Sequence, residues 1–93
     1  MSTINIGEKL RQIREEKELS LRKVAVLLDI DVAILSKMER GERRITKEVV
    51  LNLSRIYGYS ADDLMVLFLS DKIMYDIKDE TLGLKALKVA EQR

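Results

Sequence analysis

The sequence predicts an all-α protein: five short helices followed by a C-terminal helical extension. Three observations carry that reading. Proline is absent from all 93 residues, and apolar residues recur at steps of three and four in one segment after another. Ser20, Asp31, Thr46 and Ser60 each stand just before such a segment, where a side chain can cap a helix, and Gly41 and Gly58 each follow one. Hydrophobic residues make up 46% of the chain, enough for a single core and too few for two. The expected organisation is therefore one folded domain over residues 1–67, with 68–93 as the extension.

The elements follow in order. Ile6, Leu10 and Ile13 form the stripe of an amphipathic helix from about Ile4 to Lys17, with a charged opposite face. Ser20 caps a very short second helix with Leu21, Val24, Ala25 and Leu28 inward, and Asp29 and Ile30 form the turn after it. Asp31 caps a third helix in which Leu35 and Met38 point inward and which Gly41 ends. Thr46 caps a fourth, carrying Val50, Leu53 and Tyr57 inward with Val49 and Ile56 beside them. Ser60 and Asp63 make a near capping box for a fifth helix, Ala61 to Ile77. There Met65, Leu69, Ile73 and Ile77 form one stripe and Leu64, Leu67, Phe68 and Tyr75 another, a pattern that requires cover on two sides. After the charged break Lys78, Asp79 and Glu80, a last helix places Leu82, Ala86, Val89 and Ala90 on one face and Leu84 and Leu87 on another.

Composition excludes much chemistry. Cys and His are both absent, which removes disulfides, thiolate or imidazole metal sites and the usual near-neutral proton shuttles. A hydrolase or metal site built on carboxylates needs a concave pocket for which so short a chain has little room, so neither an enzyme nor a metal or other cofactor is expected. The N-terminus has no signal-peptide pattern and no apolar run approaches a membrane span, so the expected location is the cytoplasm. One Phe, three Tyr and no Trp leave few rings for stacking single-stranded bases. The net charge of +1 is unevenly spread: 12 basic against 9 acidic side chains in residues 1–60, and 5 against 7 in residues 61–93. The N-terminal part is the better place to meet an anion.

Residues Ser20 to Gly41, SLRKVAVLLDIDVAILSKMERG, read as two short helices around a three-residue turn, with small Ala25 at the crossing. From Gly7 to Leu64 the chain resembles the helix-turn-helix family of phage repressors and Cro-like regulators, the XRE family. The matching positions are Leu10, Arg14, Leu19, Ser20, Val24, Ala25, Leu28, Ile30, Leu35, Ser36, Glu39, Gly41, Leu53, Gly58 and Leu64. Three departures from the family pattern limit what the resemblance implies: Leu21 stands where Gln is usual, Asp29 where the turn commonly has Gly, and the leading recognition positions are the apolar Val32, Ala33 and Ile34.

The resemblance implies a five-helix Cro/repressor-like domain that binds double-stranded DNA, with Asp31 to Arg40 as the recognition helix in the major groove. Val32, Ala33, Ile34, Ser36 and Lys37 would face bases. Arg40, Arg43 and Arg44 would meet the backbone, Ser20 and Thr46 would offer helix N-termini to phosphates, and Lys47 would add charge. The bland alternative for residues 40–44 is a solvated charged loop. Val32, Ala33 and Ile34 cannot hydrogen bond to bases; they can sense methyl groups and shape, or mark a helix that contacts protein instead. Arg14 and Glu39 match positions that form an internal ion pair in the family. Val26 and Leu27 fall at positions usually polar in it, either as a small interface patch or as stray surface hydrophobes.

One short recognition helix reads few base pairs, so the expected regulator is a homodimer on a palindromic operator. Met65, Leu69, Ile73 and Ile77 are the expected dimer surface; the alternative is a tail that folds back on its own core. The specific roles that stand open are a repressor or an activator, a restriction-modification controller, an antitoxin with a toxin partner, and a partner of polymerase. The rival of a different class is a protein-interaction module that keeps the fold without binding DNA.

Overall fold

In the computed structural model, which describes residues 4–93, the chain forms six helices: α1 (Ile6–Glu16), α2 (Leu21–Leu28), α3 (Val32–Glu39), α4 (Lys47–Tyr57), α5 (Ala61–Ile77) and α6 (Gly83–Glu91). Ser20, Asp31, Thr46 and Ser60 cap α2, α3, α4 and α5, each side chain accepting a backbone N–H of the first turn. The first helix begins at Ile6, where its apolar stripe begins, and not at about Ile4 as expected. Asn5 caps it, accepting the Glu8 N–H at 2.8 Å, so Ile4 lies outside. The last helix also starts late: Leu82 precedes it without any side-chain cap, and the turn before it is held by Glu80 N–H to the Ile77 carbonyl.

The core gathers Ile6, Leu10 and Ile13 of α1, Val24 and Ala25 of α2, Leu35 of α3, Val50, Leu53 and Tyr57 of α4, and Leu64 of α5. α4 packs against α5, α2 and α1, while α1 also packs against α3 and α5. The contact of α1 with α3 is close because of Gly7, where a Cβ would lie 2.6 Å from the Met38 carbonyl oxygen. Asp29 takes the left-handed conformation that the turn requires, φ 57° and ψ 45°, at a position where Gly would be unstrained. Leu21 is half-buried against the core, so its side chain is used for packing.

α5 runs as expected from Ala61 to Ile77, without interruption at residue 67, and within the chain Val66, Leu69, Ile73, Met74 and Tyr75 remain exposed. No helix among the described residues is long and apolar enough to cross a membrane.

Candidate nucleic-acid interface

The site is built on α2 and α3, joined by the turn Asp29 to Asp31. α3 buries Leu35, Met38 and Glu39 and turns the rest of its surface outward. Asp31 accepts the Ala33 N–H at 2.8 Å, which fixes the first turn. Val32, Ala33 and Lys37 are exposed, whereas Ile34 and Ser36 are half-buried, so the outward apolar tip consists chiefly of Val32 and Ala33.

Beyond α3 the chain turns through Gly41 into a loop carrying Arg43 and Arg44, both exposed, as are Thr46 and Lys47 at the start of α4. Thr46 Oγ1 accepts the Val49 N–H at 3.2 Å and Ser20 Oγ accepts the Lys23 N–H at 3.1 Å. Both hydroxyls are thus engaged as caps, which leaves the remaining first-turn N–H groups open to an anion. Arg40 is not free. Its Nε donates to Glu42 Oε2 at 2.5 Å and its Nη1 to Ser36 Oγ at 2.6 Å, and the Arg40 guanidinium holds the Glu42 carboxyl below its usual range. Arg43, Arg44, Lys37 and Lys47 have no acidic partner among the described residues.

A groove of about 440 Å³ lies behind this loop, between the start of α1 and the second half of α5. Arg44 stacks over the ring of Tyr75 at 4.4 Å, and Asp71 accepts the Ile6 N–H at 2.7 Å. Through these contacts α5 braces both the loop and the first turn of α1. Neither residue has a local signal: Asp71 is far from Ile6 in the chain, and Tyr75 reads as one more apolar member of α5.

The recognition helix is anchored from inside by a buried pair. Arg14 Nε donates to Glu39 Oε2 at 2.8 Å and Nη2 to Oε1 at 3.1 Å, a two-pronged contact, and Nη1 donates to the Leu19 carbonyl at 2.8 Å. The hydrogen bond to Glu39 pushes the already high Arg14 pKa higher. Tyr57 is buried beside them. Its hydroxyl has no hydrogen-bond partner, and burial, reinforced by the Glu39 charge, pushes its pKa up. Among the described residues no acidic cluster is placed to hold a metal ion.

The helix-turn-helix family model matches residues 10–64, which span α2, the turn, α3 and all of α4. The chain belongs to the helix-turn-helix family. It is 36% identical over 62 residues to the HTH-type transcriptional regulator DdrOP3 of Deinococcus deserti, a match covering 67% of this chain and 48% of that protein. It is 31% identical over 61 residues to the HTH-type transcriptional regulator RamB of Mycobacterium tuberculosis, covering 66% of this chain and 13% of that protein. This helix-turn-helix chain thus spans about half the length of the first and a much smaller part of the second. No solved structure matches it. The matched residues end at Leu64, so most of α5 and all of α6 lie beyond them.

Proposed function

We propose that the chain is a transcriptional regulator that binds double-stranded DNA in sequence-specific fashion. The observation that carries this reading is the placement of unpaired cations: Arg43, Arg44 and Lys47 follow directly on an exposed α3 whose outward face holds Lys37. The names of the relatives support the same reading. In this scheme α3 lies in the major groove, with Val32, Ala33 and part of Ile34 against thymine methyls and Lys37 toward a guanine edge. Arg43, Arg44 and Lys47, with the N-termini of α2 and α4 at Ser20 and Thr46, hold phosphates and set the register without choosing sequence.

The finer reading is a homodimer on a palindromic operator, joined through Met65, Leu69, Ile73 and Ile77 of α5, and acting as a repressor in the cytoplasm. Control of a restriction-modification locus and service as an antitoxin both suit such a dimer, and the neighbouring genes decide between them. The test is titration of duplexes selected from a random pool at two salt concentrations. Affinity should fall steeply with salt, Arg43→Ala should flatten that slope by about one unit, and Lys37→Ala should mainly erode preference among sites. A duplex affinity that is salt-independent or undetectable favours the second reading, a protein-interaction module, for which the apolar tip at Val32 and Ala33 is the supporting feature.

A further inference from the structure

The groove behind the loop after α3 has the make-up of a small-ligand site. Ile6, Gly7 and Met38, all buried, line its inner part, together with half-buried Ile45 and Phe68. On α5 its wall is Phe68, Asp71, Lys72 and Tyr75, which follow at helical spacing on one face. The chain has one Phe and three Tyr, and the Phe and one Tyr are both here. The volume of about 440 Å³ falls within the range of sites that take a small molecule.

The charge around the groove is mostly of one sign. Arg43, Arg44 and Lys72 line it, and none of the three has an ion-pair partner among the described residues. Asp71, the acid in the lining, has a carboxylate oxygen engaged by the Ile6 N–H at 2.7 Å. Arg44 lies over the Tyr75 ring at 4.4 Å, so one cation already stands on an aromatic surface of the groove. This combination suits an organic anion with a flat apolar body. The body would displace water from Ile6, Met38 and Phe68, and the anionic head would meet the guanidinium groups. A bare phosphate would leave the apolar part unfilled, and a neutral ring would leave the cations unused.

The groove is not on the side of α5 proposed to join two chains. At 100° per residue, Leu69 and Ile73 lie about 100° and 140° around the helix from Phe68.

We infer that the groove is an effector site for a small aromatic carboxylate, whose binding draws Arg43 and Arg44 away from phosphates. The site stands on the groove alone; its effect on DNA rests on the function proposed above. The link is the loop after α3, because the two arginines that line the groove are also the ones assigned to the duplex backbone. A carboxylate held beside them competes with phosphate for the same guanidinium groups, so an occupied chain should hold a duplex less tightly.

The four glycines of the chain give site and control in one amide spectrum. Gly7 and Gly41 line the groove, whereas Gly58 and Gly83 do not, and Gly83 stands beside the exposed Leu82 and Leu84, where unspecific apolar binding would register. Naphthoate is titrated into the isotope-labelled full chain, with naphthamide as its neutral counterpart and acetate as the control for charge alone. Naphthoate should shift Gly7 and Gly41 saturably and leave Gly58 and Gly83 in place. Lys72→Glu, at an exposed position outside the proposed DNA contacts, should weaken that binding about tenfold with unchanged melting. Saturating naphthoate should weaken binding of a selected duplex by about fivefold or more, and acetate at the same concentration should not. The site is overturned by the lack of a saturable shift at about 1 mM, by shifts of equal size at all four glycines, by equal binding of naphthamide, or by undiminished affinity in Lys72→Glu. Saturable binding with unchanged duplex affinity overturns the effector role. A chain that binds naphthoate in this way but no duplex at all keeps the site and overturns the DNA reading on which the effector role rests.

Discussion

Leu53 on α4 and Leu69 on α5 are the same side chain on helices that pack together, yet Leu53 is fully buried and Leu69 leaves 47% of its surface in water. The contrast extends to the regions around them. From Ile6 to Leu64, apolar side chains at helical spacing converge on one interior, and even the charged pair Arg14 and Glu39 is enclosed. From Val66 onward Leu67 and Phe68 still pack against that core, but Val66, Leu69, Ile73 and Met74, just as apolar, stay exposed. Hydrophobicity sets the need for burial; the path of the backbone decides whether the chain itself supplies the cover. The first region thus encloses most of its own apolar side chains, and the second leaves many of them in water.

That contrast can be broken by paired substitutions. Leu53→Ala should cost about 3 to 4 kcal/mol, as for large-to-small changes in a closed core, and Leu69→Ala less than about 0.5 kcal/mol in dilute urea denaturation where single chains prevail. Equal losses would mean that α5 is covered after all. Glu39→Ala comes next, at about 3 kcal/mol, because it strands a buried guanidinium. Glu15→Ala breaks only the exposed 3.6 Å contact with Arg11 and should cost less than about 1 kcal/mol.

Tyr57→Phe sharpens the comparison through pH. The hydroxyl lacks a partner, so the variant should be as stable as the wild type or slightly more so at pH 7. Burial raises the folded-state pKa of Tyr57, so above pH 10 the unfolded chain loses this proton while the folded one keeps it. Stability should then fall with rising pH by about 1.4 kcal/mol per unit for this one group, a loss that Tyr57→Phe removes. Parallel pH profiles of the two proteins would show that the phenol is solvated. Asp29→Gly acts in the opposite direction: it relieves a left-handed aspartate and should raise stability by about 0.5 to 1 kcal/mol in the same assay.

Most of the first region was legible in the sequence because its signals are local. A cap such as Ser20 or Thr46 lies within three residues of the N–H it accepts, and stripes such as Leu10 and Ile13 need only the helical period. Asn5 did not stand out, since the expected helix began one residue before it, at about Ile4. The buried pair was indicated only by family resemblance, as nothing in the spacing of Arg14 and Glu39 joins them. Long-range contacts left no trace: the Asp71 carboxylate on the Ile6 N–H depends on where α5 returns in space. At the candidate site the exposed cations were readable as a charge run, whereas the engagement of Arg40 by Glu42 was not, because ArgGlyGluArgArg reads as a basic segment with one exception.

That exception has a bearing on how the proposed DNA face would work. With Glu42 and Ser36 on its guanidinium, Arg40 already holds an anionic oxygen and a hydroxyl. Phosphate binding there would be an exchange of one oxyanion for another, so Arg40 would add less attraction than its charge suggests, while random polyanions would meet a built-in competitor. Glu42→Ala should consequently tighten binding to every duplex by a similar factor and narrow the margin between a selected site and bulk DNA. Arg40 holds the Glu42 carboxyl below its usual range, so acid unlocks the exchange only far from neutrality. The proposed face would thereby respond to ionic strength, with Glu42 as its discriminator.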